Sequence, residues 1–226
     1  MTPLHRHQLA WLTPAGWQRT LGRPWDAVAN ECLAHWAEQR LPLVVTRQPS
    51  CDDGGDTIAM GLPAPGRWDR RRLVLRVARA DVLYFDEFPR AEQIVRLLPA
   101  SARPAWRKLC AGLQACGAVA RVHGSYGWKH LSGLDHVRAG SDIDVWVAVA
   151  GVEGADAAAT LLQAFPAGRA RLDGELVFED GAAVAWREWL AWRGGHARAL
   201  LVKRIDGCSL SRTPGSCTPS AVTEPT

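Results

Sequence analysis

The sequence has no Cys-x-x-Cys pair. Its six cysteines, Cys32, Cys51, Cys110, Cys116, Cys208 and Cys217, follow no regular spacing, which excludes a zinc ribbon and a disulfide framework and leaves reduced thiols. No apolar run of signal-peptide length opens the chain, and none elsewhere reaches the span of a membrane helix. A soluble, cytoplasmic protein with no membrane partner is expected. Basic clustering is also missing. A formal net charge of +4 falls short of the concentrated positive surface of a dedicated nucleic-acid binder, so no nucleic-acid partner is expected, while a mildly basic chain suits an anionic substrate. There is no internal repeat. Asp52, Asp53 and Asp56 around Gly54-Gly55 lack the spacing and the closing glutamate of a calcium loop. What is present is ordinary for a folded chain: 47% hydrophobic and 22% charged residues in 226, enough for one large core or two small ones. The tryptophans are spread from Trp11 to Trp192, as packing residues are.

Periodicity predicts an α+β chain in two parts. After a loop-rich opening, residues 26–40 place Ala27, Val28, Cys32, Leu33 and Trp36 at helical spacing behind Asp26 as N-cap. LPLVVTRQ, TIAMGLP and RRLVLRVAR follow as strands, the first two separated by the turn PSCDDGGDT. PRAEQIVRLLP and ARPAWRKLCAGLQACG are helical patterns, the second closing at Gly117. A boundary near residue 98 divides an N-terminal α+β domain, 1–98, from a mixed-sheet domain, 99–208. In the latter, AVARVHG, SDIDVWV, RARLDGELVF, AAVAW and ARALLVKRI are strands, and SYGWKHLSGL and GADAAATLLQAF are helices. The Ser/Thr/Pro-rich residues 209–226 are expected to form a disordered tail.

The segment from Ser141 to Val147 carries the functional signal. As a strand it turns its apolar side chains one way and Asp142 and Asp144 the other, about 6.6 Å apart. Two like charges on one face repel unless solvent, a basic side chain or a cation stands between them. A metal site is one solution; an ordinary strand-start residue at 142 and a buried, hydrogen-bonded carboxylate at 144 are the alternative. Asp173 and Glu175, two residues apart in RLDGELVF, share a face, and either or both could complete such a site. Lys129, Arg138, Arg187 and Lys203 adjoin strand ends or loops where they could meet phosphates, with a solvated surface position as the alternative for each. His123, His130 and His136 lack zinc spacing.

The order of strand, Gly124-Ser125 turn, helix and Asp142-Ile143-Asp144-Val145 strand resembles the nucleotidyltransferase superfamily. In that chemistry two carboxylates on one strand face hold magnesium ions, which neutralise phosphates and stabilise the attacking and leaving oxygens. Gly124 permits close backbone approach, and Ser125 with the amides at the helix start can bond the outer phosphates. Sixteen residues lie between Ser125 and Asp142, more than is usual in the superfamily, so LDHVRAG is expected as a longer loop. A closer resemblance covers nearly the whole chain to about residue 208. HQLAWL, LPLVVTRQ, IAMGLPAP, GSYGWKHLSGL, SDIDVWV and DGELVFEDGAAVAWREW are similar to the malonate decarboxylase holo-acyl-carrier-protein synthases, also called phosphoribosyl-dephospho-CoA transferases. The resemblance implies transfer of phosphoribosyl-dephospho-CoA from triphosphoribosyl-dephospho-CoA to a serine of the acyl-carrier subunit of malonate decarboxylase, with release of pyrophosphate. It implies Asp142 and Asp144 as catalytic pair and metal ligands with Asp173 or Glu175, Mg2+ as cofactor, and Gly124, Ser125 and Lys203 at the bound substrate. Residues 1–98 would bind substrate or carrier. The basic run Arg67 to Arg72 could dock an acidic carrier protein, with an ordinary solvated charge run as the alternative. The alternative is a nucleotidyltransferase that uses a nucleoside triphosphate and a different acceptor.

Overall fold

The computed structural model describes residues 4–48, 56–166 and 171–212, and lays down two sheets one after the other along the chain. The first contains β1 (Leu9–Leu12), β2 (Leu43–Val45), β3 (Thr57–Pro63), β4 (Arg72–Ala78) and β5 (Val82–Asp86), in the order β4-β3-β2-β1-β5 and antiparallel throughout. Between β1 and β2 run α1 (Pro14–Leu21) and α2 (Ala27–Glu38). Thr13 starts α1 by accepting from the Gly16 amide at 3.0 Å, with Pro14 in the first turn. Asp26 starts α2 in the same way, accepting from Ala29 at 3.0 Å, as the sequence predicts. The period of two is clearest in β4, where Leu73, Leu75 and Val77 are buried while Arg72, Val74 and Arg76 face outward. Trp36, Trp68, Leu33, Leu43 and Met60 fill the core beneath.

Two expectations for this half are corrected. The loop-rich opening contains β1 and α1, and β5 follows β4 where no strand was expected. Both strands are only four or five residues long, too short for a period to register, and β1 has no polar residue to alternate with.

The second sheet contains β6 (Val119–Val122), β7 (Ile143–Ala148), β8 (Leu172–Val177), β9 (Ala183–Ala185), β10 (Leu200–Lys203) and β11 (Cys208–Ser211), in the order β11-β10-β9-β8-β7-β6. Only β7 and β8 are parallel, and α5 (Gly151–Gln163) supplies the crossover that parallel neighbours need. Register sets Asp144 opposite Asp173 and Trp146 opposite Glu175, so all four face one side. Ile143, Val145 and Val147 face the other, against Ala155, Ala158 and Leu162 of α5. α3 (Arg103–Ala115) precedes β6, and Gly117 just beyond it has the left-handed φ of +76° expected of a closing glycine. α4 (Gly124–Ser132) follows β6, and α6 (Trp186–Arg193) occupies WREWLAWR directly after β9.

Residues 91–97, expected as an α-helix, form a 3-10 helix, which stops at Leu98 because Pro99 disfavours the helical conformation there; Leu98 is extended at ψ 151°. Ala91, Ile94 and Leu98 are buried in the second core. Residues 209–211 are not tail: they belong to β11, which pairs with β10 from Leu200↔Ser211 to Lys203↔Cys208 and satisfies a strand edge otherwise left open. Beyond Arg212 the expected tail lies outside the described residues. Among the described residues no helix is long and apolar enough to cross a membrane.

Candidate active site

α4 begins at the end of β6, and the His123 amide donates to the Asp144 carbonyl at 2.9 Å, stitching the start of the helix to β7. Gly124 has φ +57°, and a side chain there would overlap the Asp144 carboxylate. Glycine is therefore required twice, by the backbone and by the close approach. One turn further along, Trp128 inserts into the first core, edge-on to Phe88 at 5.4 Å and 6.3 Å from Trp36. The helix is thus held by both sheets, its N-terminus against β7 and its middle in the other half of the molecule.

Around that N-terminus three carboxylates gather. Asp144 and Asp173 are cross-strand partners, and Asp142 lies just before β7. Arg171 stands between two of them, its Nη2 2.9 Å from Asp173 and 3.3 Å from Asp142. Burial first, and then the charges of Asp142 and Asp173, raise the Asp144 carboxyl to about 6, against the pull of Arg171. One arginine does not offset three aspartates, and no hydrogen bond reaches the Asp144 side chain among the described residues. The carboxylates do not form a closed cage: among the described residues no three acidic, histidine or cysteine side chains converge enough to hold a metal alone.

Glu175, the other candidate for the third carboxylate, is committed elsewhere. Its Oε1 accepts from Lys203 Nζ at 2.8 Å, and its Oε2 lies 3.2 Å from Arg6 Nη1 and 3.7 Å from His7 Nε2. Burial would push this carboxyl up, but His7, Lys203 and Arg6 outweigh it and hold it well below the usual range. Glu175 and Lys203 accordingly tie the segment preceding β1 to the face of β8. Beside them His7 and His123 stack with ring centroids 4.2 Å apart. Burial, followed by the charge of His7, pushes His123 down to about 3, so it is neutral in the fold.

A cleft of about 280 Å³ opens over Gly124, Ser125 and Asp144, walled by Arg70, Arg72 and Arg138. None of these arginines has a carboxylate partner among the described residues. A larger cleft of about 500 Å³ shares Pro63, Arg72, Gly124 and Trp128 with it. Of the other sequence candidates, Arg138 reaches the site, whereas Lys129 pairs with Asp135 at 3.1 Å and Arg187 donates to the Leu172 carbonyl at 2.8 Å and lies over Trp186. The run from Arg67 to Arg72 is not one surface. Arg67 covers the Trp68 ring at 3.6 Å and Arg71 pairs with Asp26 at 2.5 Å, while Arg70 and Arg72 line the cleft. Reading the run as a single docking surface missed these two, and missed Arg171 as well. No sequence signal separates Arg70 and Arg72 from the rest of the run: the division comes from the positive φ of Asp69 and Arg70, which turns the chain sharply before β4.

No solved structure matches the chain. Two family models cover it in sequence: the N-terminal domain of Phosphoribosyl-dephospho-CoA transferase MdcG matches residues 5–88, and the C-terminal domain matches 89–214. Among relatives, the Phosphoribosyl-dephospho-CoA transferase of Bradyrhizobium diazoefficiens is 34% identical over 205 residues, which are 90% of this chain and 88% of the relative. The protein of that name from Xanthomonas campestris pv. campestris is 32% identical over 206 residues, 91% of this chain and 92% of the relative. That of Pseudomonas putida is 28% identical over 211 residues, 92% and 93% of the two chains. With both halves matched end to end and the aspartate cluster lying where they join, the chain belongs to the phosphoribosyl-dephospho-CoA transferase family and is a transferase.

Proposed function

We propose that this enzyme transfers the phosphoribosyl-dephospho-CoA group from triphosphoribosyl-dephospho-CoA to a serine of the acyl-carrier subunit of malonate decarboxylase, releasing pyrophosphate. The observation that carries this reading is the pairing of an under-neutralised aspartate cluster with three arginines that have no carboxylate partner among the described residues, across one cleft at the start of α4. An anionic donor with a triphosphate end complements both features. Arg70, Arg72 and Arg138 grip the terminal phosphates, and the Ser125 hydroxyl with the first amides of α4 supplies further donors. Asp144, with Asp142 or Asp173 beside it, would hold magnesium together with water and the donor's phosphates; when bound it neutralises phosphate charge and stabilises the departing pyrophosphate. The serine oxygen bonds to the α-phosphorus, the bridging α–β P–O bond breaks, and pyrophosphate leaves with its electron pair. A carboxylate of the cluster takes the serine proton. Asp173, not Glu175, is the third acid in this scheme, since Glu175 is ion-paired with Lys203 and Arg6.

The test is the mass of the purified apo carrier subunit after incubation with the enzyme, triphosphoribosyl-dephospho-CoA and magnesium. The expected result is one added phosphoribosyl-dephospho-CoA group and free pyrophosphate. An unmodified carrier, or labelling supported equally by ATP, would overturn the proposal.

A further inference from the structure

The larger cleft is floored by the outer face of the first sheet. Register sets Val44, Gly61 and Val74 side by side across β2, β3 and β4, with Pro63 and Arg72 paired two residues along. Nothing rises from Gly61, where a Cβ would come within 3.1 Å of Thr46 Cγ2 and 3.6 Å of Val44 Cγ1. Glycine keeps the floor flat. Val74 is 75% exposed, an apolar surface between the outward arginines Arg72 and Arg76. Phe88, His123, Gly124 and Trp128 line the same cleft. At its rim Arg47 reaches only the Asp206 carbonyl, at 3.4 Å, and has no carboxylate partner among the described residues. An apolar strip of this volume, with a free cation at its edge, has the make-up of a cofactor site. It also runs into the phosphate cleft through Pro63, Arg72, Gly124 and Trp128.

We infer that this cleft seats the dephospho-CoA portion of the donor, with the pantetheine arm on the Val44, Gly61 and Val74 floor and the diphosphate beside Arg47. The inference rests on the transfer reading above and extends it, because a donor whose reacting phosphate sits over Gly124 must send its remaining bulk into an adjoining space. The pantetheine arm is long and uncharged, and its gem-dimethyl group and methylenes gain by leaving water for an apolar floor while its amides and hydroxyl stay at the open side of the cleft; the diphosphate is complementary to arginine.

Dephospho-CoA and ADP differ by the pantetheine arm, and calorimetric titration of each into the full chain isolates its contribution. Dephospho-CoA should bind at least about tenfold more tightly than ADP. Val74→Asn, an uncharged polar change at an exposed position, should remove most of that advantage while leaving the affinity for inorganic tripolyphosphate unchanged, since Val74 lines only the larger cleft. Equal affinities for the two probes in the wild-type protein overturn the assignment, and so does an advantage that survives in the variant. The two proposals fail separately. A wild-type enzyme that modifies the carrier but shows no preference for dephospho-CoA removes only this placement; one that prefers dephospho-CoA but leaves the carrier unmodified removes the transfer reading and keeps the site.

Discussion

An Asp144→Asn substitution should raise the stability of the metal-free protein and abolish transfer. The Asp144 carboxyl moves from 3.8 to about 6 on folding. A rise of about two units, at about 1.4 kcal/mol each, makes ionisation about 3 kcal/mol less favourable in the folded state. Part of the group reaches solvent, which screens this to about 1–2 kcal/mol. The sign follows from proton linkage: the folded protein holds this proton more tightly than the unfolded chain, so the penalty is absent below about 4, develops between there and about 6, and is complete above. Asparagine does not titrate, and no hydrogen bond to the Asp144 side chain is lost. Urea unfolding in a chelator should therefore show the variant equal to wild type at pH 3.5 and about 1–2 kcal/mol more stable at pH 8. Magnesium should then stabilise the wild type selectively, because only it retains the full carboxylate set. Carrier modification should fall at least about a hundredfold in the variant. A variant no more stable at pH 8 than at pH 3.5 would refute the electrostatic argument, and near-wild-type transfer would refute the catalytic one.

Gly124→Ala should lose transfer and about 1–3 kcal/mol of stability, from its φ of +57° and the overlap with Asp144; unchanged unfolding would show that α4 can retreat from β7. Glu175→Gln should cost about 3 kcal/mol near neutral pH by leaving Arg6 and Lys203 without their carboxylate. Because folding holds the Glu175 carboxyl below its ordinary 4.5, its contribution is present above that value and lost as pH falls below it, so the wild-type and variant denaturation curves should converge in acid. Arg70→Ala with Arg72→Ala should raise the KM for the donor at least about tenfold with little change in melting temperature, since neither arginine has an ion-pair partner among the described residues; a variant with normal KM would move the triphosphate elsewhere.

Local rules in the sequence locate the chemistry of each half but not how the halves meet. Parity alone places Asp142 and Asp144 on one face, and the same parity in RLDGELVF predicts a strand beside them, which the parallel register of β7 and β8 bears out. Parity could not choose between Asp173 and Glu175, because both satisfy it. The distinction comes from Arg6, 169 residues away from Glu175, and from Lys203 on β10, whose charges claim the buried Glu175, while Asp173 stays more exposed and shares the single Arg171 with Asp142. Arg70 and Arg72 were hidden for the same reason: a run of basic residues has no visible direction until the positive-φ turn at Asp69 and Arg70 sends some members outward and others into the cleft.

The join itself then explains why one chain carries both halves. The second half holds the aspartates, Arg138 and the first turn of α4, but Arg70 and Arg72 come from the loop before β4 and the start of that strand, and the tryptophan that seats α4 packs among Trp36 and Phe88. Arg6 and His7, just before β1, reach across to Glu175 on β8, two residues beyond Asp173 on the same face. A small shift between the sheets would therefore move the cleft arginines, the start of α4 and the aspartate cluster relative to one another. Phosphoryl-type transfer depends on positioning and charge more than on covalent chemistry by the protein, so the buried Glu175 tie acts on the reaction through geometry while lying outside it.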